Sequence, residues 1–545
     1  MLSDIKRNII NWYPFKQNAT VLEIGVEIGE ITEELCSKNK RVVSIKLQKD
    51  ATEYSYNKEN LEVMSCKLEN IKLDEKFDYI TLIGTLDKAE EILQSENSAI
   101  ILLEYAKNHL KKDGKILIAC DNKLGIDKFS VLNNNQYKLG RNSLNKMFRT
   151  LNLMNSKYYY VLPNYQTPNV IFTDEYLPNE ENITRNFTLY SNNDIILFEQ
   201  VKKYRDLLQE NNELFKDFAN SFFIEVSQNR IEDNDIKFIS FSNIRKSEYR
   251  IKTTIGSKYV RKSAINDKSK AQIQSIKNNI DIMKKSGIKT IDSYDEEQIV
   301  SKFQNNASTL DKIILEKFKN NQISEGIQEI KKFMQFIIDN FEKSKDEINV
   351  FDRYNINYNK YDIQKLHFIK NGLWDLIFQN CFYLNNEYYF YDQEWYEEDI
   401  PVEFIIYRAI LYCTSLGKYI SNEELYNSVG INSANLNLFR QLDDIFQNNI
   451  RDNDIWKLHC SQNTLEKVAT YKANEYEKQI EQLRQEKIEL QNMIAQKDEI
   501  IELKGQEIRQ KQDEINGIYN SGTWKMTEPL RKIRKIIKKR KDAIK

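Results

Sequence analysis

Thr20-Val-Leu-Glu-Ile-Gly25 is an apolar run that closes on a glycine, and Glu27-Ile-Gly29-Glu-Ile-Thr-Glu-Glu-Leu35 opens a helix directly behind it. A buried strand, a glycine turn and a helix in immediate succession predict the first βα unit of a parallel sheet. The chain that follows keeps the pattern. Arg41–Ile45, Leu61–Ser65 and Phe77–Ile83 read as three more strands, and a helix runs through Leu103 to Leu110. A turn at Lys112-Asp-Gly114 then feeds a fifth strand ending at Ala119. Strands alternating with helices predict a doubly wound α/β domain over residues 1–180. In such a sheet the ligand crevice lies at the carboxyl ends of the strands.

Specific strings add a resemblance. Val21-Leu-Glu-Ile-Gly-Val-Glu-Ile-Gly29 resembles the glycine motif of class I S-adenosylmethionine-dependent methyltransferases. The stretches Phe77–Leu86, Lys112–Gly125 and Leu162–Pro178 are similar to a methyltransferase-like subgroup found with bacterial surface-polysaccharide glycosyltransferases. The resemblance covers nearly all of residues 1–180. It implies a Rossmann-like methyltransferase domain with S-adenosylmethionine as cofactor, lined by Glu23, Gly25, Gly29 and Lys46. Two of these positions depart from the family pattern. Glu27 stands where a middle glycine is usual, and Lys46 occupies the place of the carboxylate that accepts from the ribose hydroxyls. A lysine only donates. An acid after the third strand is also missing, since the chain reads Cys66-Lys-Leu-Glu-Asn70. An internal Glu27–Lys46 pair would fill the site and leave a scaffold without catalysis.

Outward from this region, 545 residues exceed one ordinary core and predict two or three domains. The formal net charge of −1 conceals a strongly basic last twenty residues, so the remainder is mildly acidic. That balance argues against nucleic acid as a partner. Six cysteines without a C-x-x-C pair and three isolated histidines predict free buried thiols and no zinc centre. The first residues lack a signal-peptide pattern, and no apolar run reaches the roughly 18 residues of a membrane span. The expected location is the cytoplasm of a bacterium, whose AT-rich codon usage the abundant Lys, Asn, Ile and Tyr reflect.

A helical linker is expected over residues 181–217 and a second module over 218–463. Asp235–Ser242, Tyr249–Ile255 and Lys258–Lys262 read as short successive strands, followed by a helix from Lys268 to Lys285. Ile313–Phe318 is compatible with a further strand, and amphipathic helices come after it. A small sheet followed by a helical lobe predicts an α+β, kinase-like domain. Trp374-Asp375-Leu-Ile-Phe-Gln-Asn380 and Tyr391-Asp392-Gln-Glu-Trp395 supply the polar groups. One carboxylate to orient a hydroxyl, then an Asn and a second Asp to hold magnesium, is the set that phosphoryl transfer requires. Spacing and order resemble the aminoglycoside-phosphotransferase-like kinases. The resemblance implies Mg-ATP as cofactor, Asp375 as the orienting base, Asn380 and Asp392 as metal ligands, and Arg261 or Lys262 as the cation on the phosphates. A glycine-rich phosphate loop, a helix glutamate to pair with the cation, and a His before Asp375 are absent. Asp233-Asn-Asp235 and Asp452-Asn-Asp454 are poorly placed for a glycosyltransferase metal motif.

Residues 464–518 are expected to form a coiled coil. Ile480, Lys487, Ile494, Ile501, Ile508 and Ile515 occupy one heptad position, and Leu483, Leu490, Lys497, Lys504, Lys511 and Ile518 the other; the Ile and Leu residues suit a homo-oligomer, and three successive Lys at the second position weaken the later half. Gly517 and Asn520-Ser-Gly522 interrupt this rod. In the tail, 519–545, Leu530, Ile533, Ile536 and Ile537 line one face amid eight Lys and Arg residues, as expected of a helix lying on the anionic inner membrane surface. The whole plan resembles bifunctional kinase–methyltransferase proteins that cap bacterial glycan chains. It implies a transferase acting on a glycan or lipid-linked saccharide beside a glycosyltransferase complex. The alternative is a non-catalytic scaffold that recruits or spaces such a complex.

Overall fold

The computed structural model describes residues 2–25, 29–47, 58–71, 73–95, 97–130, 139–186, 198–302, 307–345, 348–359, 361 and 363–542. The chain divides into two compact units, Met1–Lys467 and Val468–Lys545.

In the first unit β1 (Thr20–Gly25), β2 (Arg41–Lys46), β3 (Leu61–Ser65), β4 (Phe77–Ile83) and β5 (Leu110–Asp121) are parallel, in the order β3-β2-β1-β4-β5. Their apolar residues serve both faces. In β1, Leu22 and Ile24 pack into one cluster and Val21 into the other, on the opposite side of the sheet. Three further strands extend the sheet: β6 (Asn155–Leu162), β7 (Val170–Thr173) and β8 (Ser221–Ser227). β8 lies antiparallel between β5 and β6. This is a Rossmann-like α/β architecture, with β8 drawn from beyond residue 218, where the sequence predicts the second module to begin. The reason is burial on both sides. Phe222, Ile224 and Val226 enter one core, Phe223 enters the other, and buried Glu225 pairs with Lys115 of β5.

Five more strands of this sheet, β9 (Phe238–Phe241), β10 (Ile251–Ile255), β11 (Tyr259–Ala264), β12 (Asp292–Tyr294) and β13 (Gln298–Lys302), are antiparallel in the order β9-β10-β11-β13-β12. β9 pairs with β7, so both halves share one thirteen-stranded sheet. Helix Lys270–Lys285, between β11 and β12, covers this end with Ile273, Ile276 and Ile280.

The segment Ile313–Phe318, compatible with a strand by sequence, belongs to helix Leu310–Lys319. Leu310, Ile314 and Phe318 recur at helical spacing and are buried, and that pattern wins over β-branching. The next helix, Ile323–Asn340, approaches closely because a Cβ on Gly326 would meet the Phe318 ring. These helices join Val402–Leu411 and Ser433–Ile450 around fully buried Trp374 and Phe333.

Helix Asn453–Asn520 supplies most of the second unit and continues through Gly517, which the sequence marks as an interruption. The break falls at Ser521, whose hydroxyl caps helix Gly522–Met526; helix Glu528–Asp542 follows. Among the described residues no helix is long and apolar enough to cross a membrane.

Candidate functional site

Two clefts contain the residues singled out by sequence. The first lies at the carboxyl ends of β1 and β4. Glu23 is buried, and its Oε2 accepts hydrogen bonds from Thr32 Oγ1 and Ser44 Oγ, each at 2.7 Å. Burial raises its carboxyl above the usual range, with both hydroxyls opposing. Gly25 and Lys46 are register partners at the ends of β1 and β2, and the Lys46 side chain is buried. Gly29 caps helix Glu30–Lys38 and has open space around its Cβ position. Glu27 lies outside the described residues, and so does the anticipated Glu27–Lys46 pair.

Tyr165 closes this crevice. Gly84 has φ +71°, and a Cβ there would stand 2.7 Å from the Tyr165 hydroxyl, so the left-handed glycine at the end of β4 is what admits the ring. The cavity between Glu23, Gly25, Gly84 and Tyr165 measures about 80 Å³. Small-molecule sites hold roughly 300 Å³ or more. Residues 26–28, which complete the glycine turn beside this cavity, lie outside the described residues, and Lys46 at the end of β2 offers a donor where a ribose would need an acceptor.

Next to it the sequence reading missed an acidic group. Asp87 accepts from the backbone N–H of Asp121, and Lys128 bridges Asp121 and Asp127. Burial, then the neighbouring Asp121, pushes Asp87 up to about 7. Burial pushes Asp127 up to about 7 as well.

The second cleft lies under β10 and β11. β11 presents Lys262 to it, and the ammonium pairs with Asp392 and, at 2.5 Å, with Glu394. Arg261, the alternative cation, is one residue away on the strand and so on its other face, where its guanidinium lies 5.5 Å from the Tyr259 ring. Arg261 is thereby corrected out of the site.

Asp375, Asn380 and Asp392 lie around one cavity. The loop from Trp374 ends in a short 3-10 turn, Phe378–Asn380. A hairpin, Cys381–Leu384 with Glu387–Phe390, then returns the chain to Asp392. Asn380 Nδ2 donates to the carbonyls of Asp375 (3.2 Å) and Asp392 (3.4 Å). Asp392 has φ +61°, an unusual conformation for a non-glycine residue, held by its N–H donating to Asp292 Oδ2 at 2.8 Å. Asp375 Oδ2 accepts from the Glu394 N–H at 3.3 Å, and Oδ1 lies 3.6 Å from the Arg408 guanidinium. Burial pushes Asp375 up to about 6, with Arg408 opposing. Asp392 is pushed up by burial, against the pull of Lys262. Glu394 is held low by Arg245 and Lys262 in spite of its burial.

The cavity beside Lys262 measures about 550 Å³, enough for a nucleotide. Among its lining residues, Asp311 Oδ1 and Gln379 Oε1 are buried acceptors without a hydrogen-bond partner. Unmatched acceptors facing a cavity are costly, and sugar hydroxyls are donors that would satisfy them. No cluster of three metal-ligating side chains exists among the described residues. Magnesium on a nucleotide asks for only one or two protein ligands beside phosphate oxygens, which Asn380 and Asp392 can supply.

Glu394, Arg245, Asp292 and Arg408 escaped the sequence reading. Glu394 and Arg408 had signals: one sits two residues after Asp392, the other is a lone cation inside the apolar helix Val402–Leu411. Of the two Asp-Asn-Asp strings, Asp233 pairs with Lys157 and Asp452 with Arg250, so both serve the fold.

No family model matches the sequence, and no curated protein matches it. Among solved structures the chain is similar to a SAM-dependent methyltransferase from Archaeoglobus fulgidus, with TM-score 0.27, 14% identity, and coverage of 42% of this chain and 91% of that one. It is similar to a SAM-dependent methyltransferase from Thermotoga maritima, with TM-score 0.25, 14% identity and coverage of 42% and 88%. The N-methyltransferase NodS from Bradyrhizobium japonicum WM9 is matched with TM-score 0.17 and 21% identity over 19% of this chain, which spans 59% of the length of that enzyme.

Proposed function

We propose that the chain is a glycan-modifying transferase whose second cleft moves a phosphoryl group from Mg-ATP to a sugar hydroxyl. The observation that carries this reading is the set around Lys262. Lys262 and its partner Asp392 line a nucleotide-sized cavity with two unmatched acceptors, and Asp392 also borders the neighbouring cavity that Asp375, Asn380 and Glu394 line. The strand order β9-β10-β11-β13-β12, with one helix between β11 and β12, supports a kinase-like lobe above that cavity.

When bound, Mg-ATP supplies the transferable phosphoryl group and its counter-charge. Lys262 would leave the carboxylates and hold phosphate oxygens. Asn380 and Asp392 would hold the metal, and Asp375 would orient the acceptor hydroxyl and take its proton. Glu394 keeps Lys262 and Arg245 in place, the role that a helix glutamate would otherwise fill.

For the Rossmann-like half a scaffold role rests on buried Lys46 at the end of β2, where an acceptor for ribose hydroxyls would be needed. Methyl transfer rests on the glycine turn and on the order β3-β2-β1-β4-β5-β8-β6. Placement beside a glycosyltransferase complex at the inner membrane face rests on the sequence resemblance and the basic tail. Thermal unfolding with Mg-ATP, S-adenosylmethionine, both or neither tests these assignments. A ligand at roughly a hundred times its dissociation constant adds about 2.7 kcal/mol. A shift with Mg-ATP that vanishes in Asp392→Ala supports phosphoryl transfer, and no shift with either ligand leaves the scaffold.

A further inference from the structure

A second cavity, about 370 Å³, opens on the other side of Asp392 and is lined by Asp375 and Asn380 as well. It is therefore on the acceptor side of the groups assigned to phosphoryl transfer. Its far wall carries two arginines. Arg245 Nη2 pairs with Glu394 at 2.6 Å, while Arg245 Nη1 is buried with no hydrogen-bond partner. Arg451 stacks its guanidinium 4.1 Å from the Trp456 ring, and no carboxylate among the described residues pairs with it. The two residues face each other across an antiparallel β-bridge, fixed on either side by backbone hydrogen bonds from Lys246 to Ile450 and from Asp452 to Ile244.

Like charges directly opposite in such a bridge destabilise the fold. An unsatisfied buried guanidinium nitrogen adds to that cost. The arrangement is compensated when an anion sits between them, because guanidinium forks match carboxylate and phosphate oxygens. The Trp456 and Trp395 rings, which line the same cavity, lie against the Arg451 and Arg245 guanidiniums.

We propose that the acceptor is an anionic saccharide, whose carboxylate or phosphate lies between Arg245 Nη1 and Arg451 while a ring hydroxyl meets Asp375. The inference rests on the phosphoryl-transfer reading for the identity of the attacking hydroxyl, but the anion site itself does not need it. In the reaction the hydroxyl oxygen forms a bond to the γ-phosphorus of ATP, and the bond from that phosphorus to the β-phosphate oxygen breaks. ADP leaves with the electron pair, and the hydroxyl proton goes to Asp375.

The test uses the full chain and three probes: glucuronate, glucose 6-phosphate and glucose. Calorimetric titration without nucleotide reads the anion site alone. Glucuronate or glucose 6-phosphate should bind at least about tenfold more tightly than glucose, the contribution of one charge-assisted hydrogen bond. Which of the two binds better tells carboxylate from phosphate. Arg451→Gln should remove the preference, and Arg451→Lys should restore part of it. Equal affinity for all three probes, or an anion preference unchanged in Arg451→Gln, overturns the proposal. ADP release from Mg-ATP is measured in parallel. Anion preference without ADP release with any probe keeps the anion site and removes the phosphoryl-transfer reading. ADP release that is as fast with glucose as with either anion overturns the anionic acceptor and keeps that reading.

Discussion

Lys262 is paired with Asp392 and Glu394 at once, and Glu394 in turn holds Arg245 at 2.6 Å. One glutamate thus neutralises a cation on each side of the cleft. Glu394→Gln should leave both insufficiently compensated and lower stability by about 3 kcal/mol, the cost typical of breaking a buried ion pair. Urea denaturation reads it directly. A loss below about 0.5 kcal/mol would mean that solvent compensates these charges.

Asp375 titrates higher than an ordinary aspartate because it is buried, with an upward shift to about 6. As a base it works only when ionised. Phosphoryl transfer should therefore rise with pH between about 5 and 7 and level off above. Asp375→Asn should lose at least about a hundredfold in rate. A rate that falls with pH over this range speaks against Asp375 as base.

Asp87 and Asp127 predict a stability profile. Their folded values near 7 lie above the unfolded range, so the folded state binds more protons between about pH 4 and 7. The stability they contribute is complete below the unfolded value and is lost as pH rises toward 7. Each group contributes at most about 1.4 kcal/mol per pH unit. Asp87→Asn should flatten the decline in chemical denaturation across this window. A slope equal to that of the parent would place the raised acid elsewhere.

On the rod, Leu483, Leu490, Ile494, Ile501 and Ile508 are all more than half exposed in the single chain. Leu483 and Leu490 at one heptad position, with Ile494, Ile501 and Ile508 at the other, are expected to be covered by a second copy, although Lys497, Lys504 and Lys511 interrupt the first of these positions. Sedimentation equilibrium should give an oligomer, and Ile494→Asp with Ile501→Asp should give a monomer that keeps its Mg-ATP response. A parent chain that sediments as a monomer at micromolar concentration removes this assembly.

Helix Glu528–Asp542 exposes Leu530, Ile533, Ile536 and Ile537, with basic residues beside them. Binding to vesicles rich in phosphatidylserine should exceed binding to phosphatidylcholine vesicles, by about 1 kcal/mol per engaged Lys or Arg. Replacing Lys535, Lys538 and Lys539 by Gln should abolish co-sedimentation. Equal binding to both vesicle types would contradict the electrostatic part.

The parallel strands β1, β2 and β4 were legible because each is a short apolar run, and local pattern decides such elements; β5 instead begins at Leu110 and runs through Lys112–Gly114, which reads as a turn in the sequence. Asp375, Asn380 and Asp392 were legible because two short loops keep them close in sequence. Arg245 was not, since its ion pair with Glu394, so far away in the chain, depends on how β9 to β11 meet the helical part. Ile313–Phe318 misled for a simpler reason: a six-residue apolar run fits either period, and burial of Leu310, Ile314 and Phe318 selects the helix.

The sequence by itself determined the α/β alternation, the closeness of Asp375, Asn380 and Asp392, the long C-terminal helix and the basic apolar face at its end, all properties of periodicity and local spacing. Tertiary structure alone decided that β8 inserts between β5 and β6, that β7 and β9 join both halves into one sheet, and that Lys262 rather than Arg261 faces the cleft. Strand pairing is chosen by the sum of long-range burial on both faces, and that sum is not encoded in any one window of the chain.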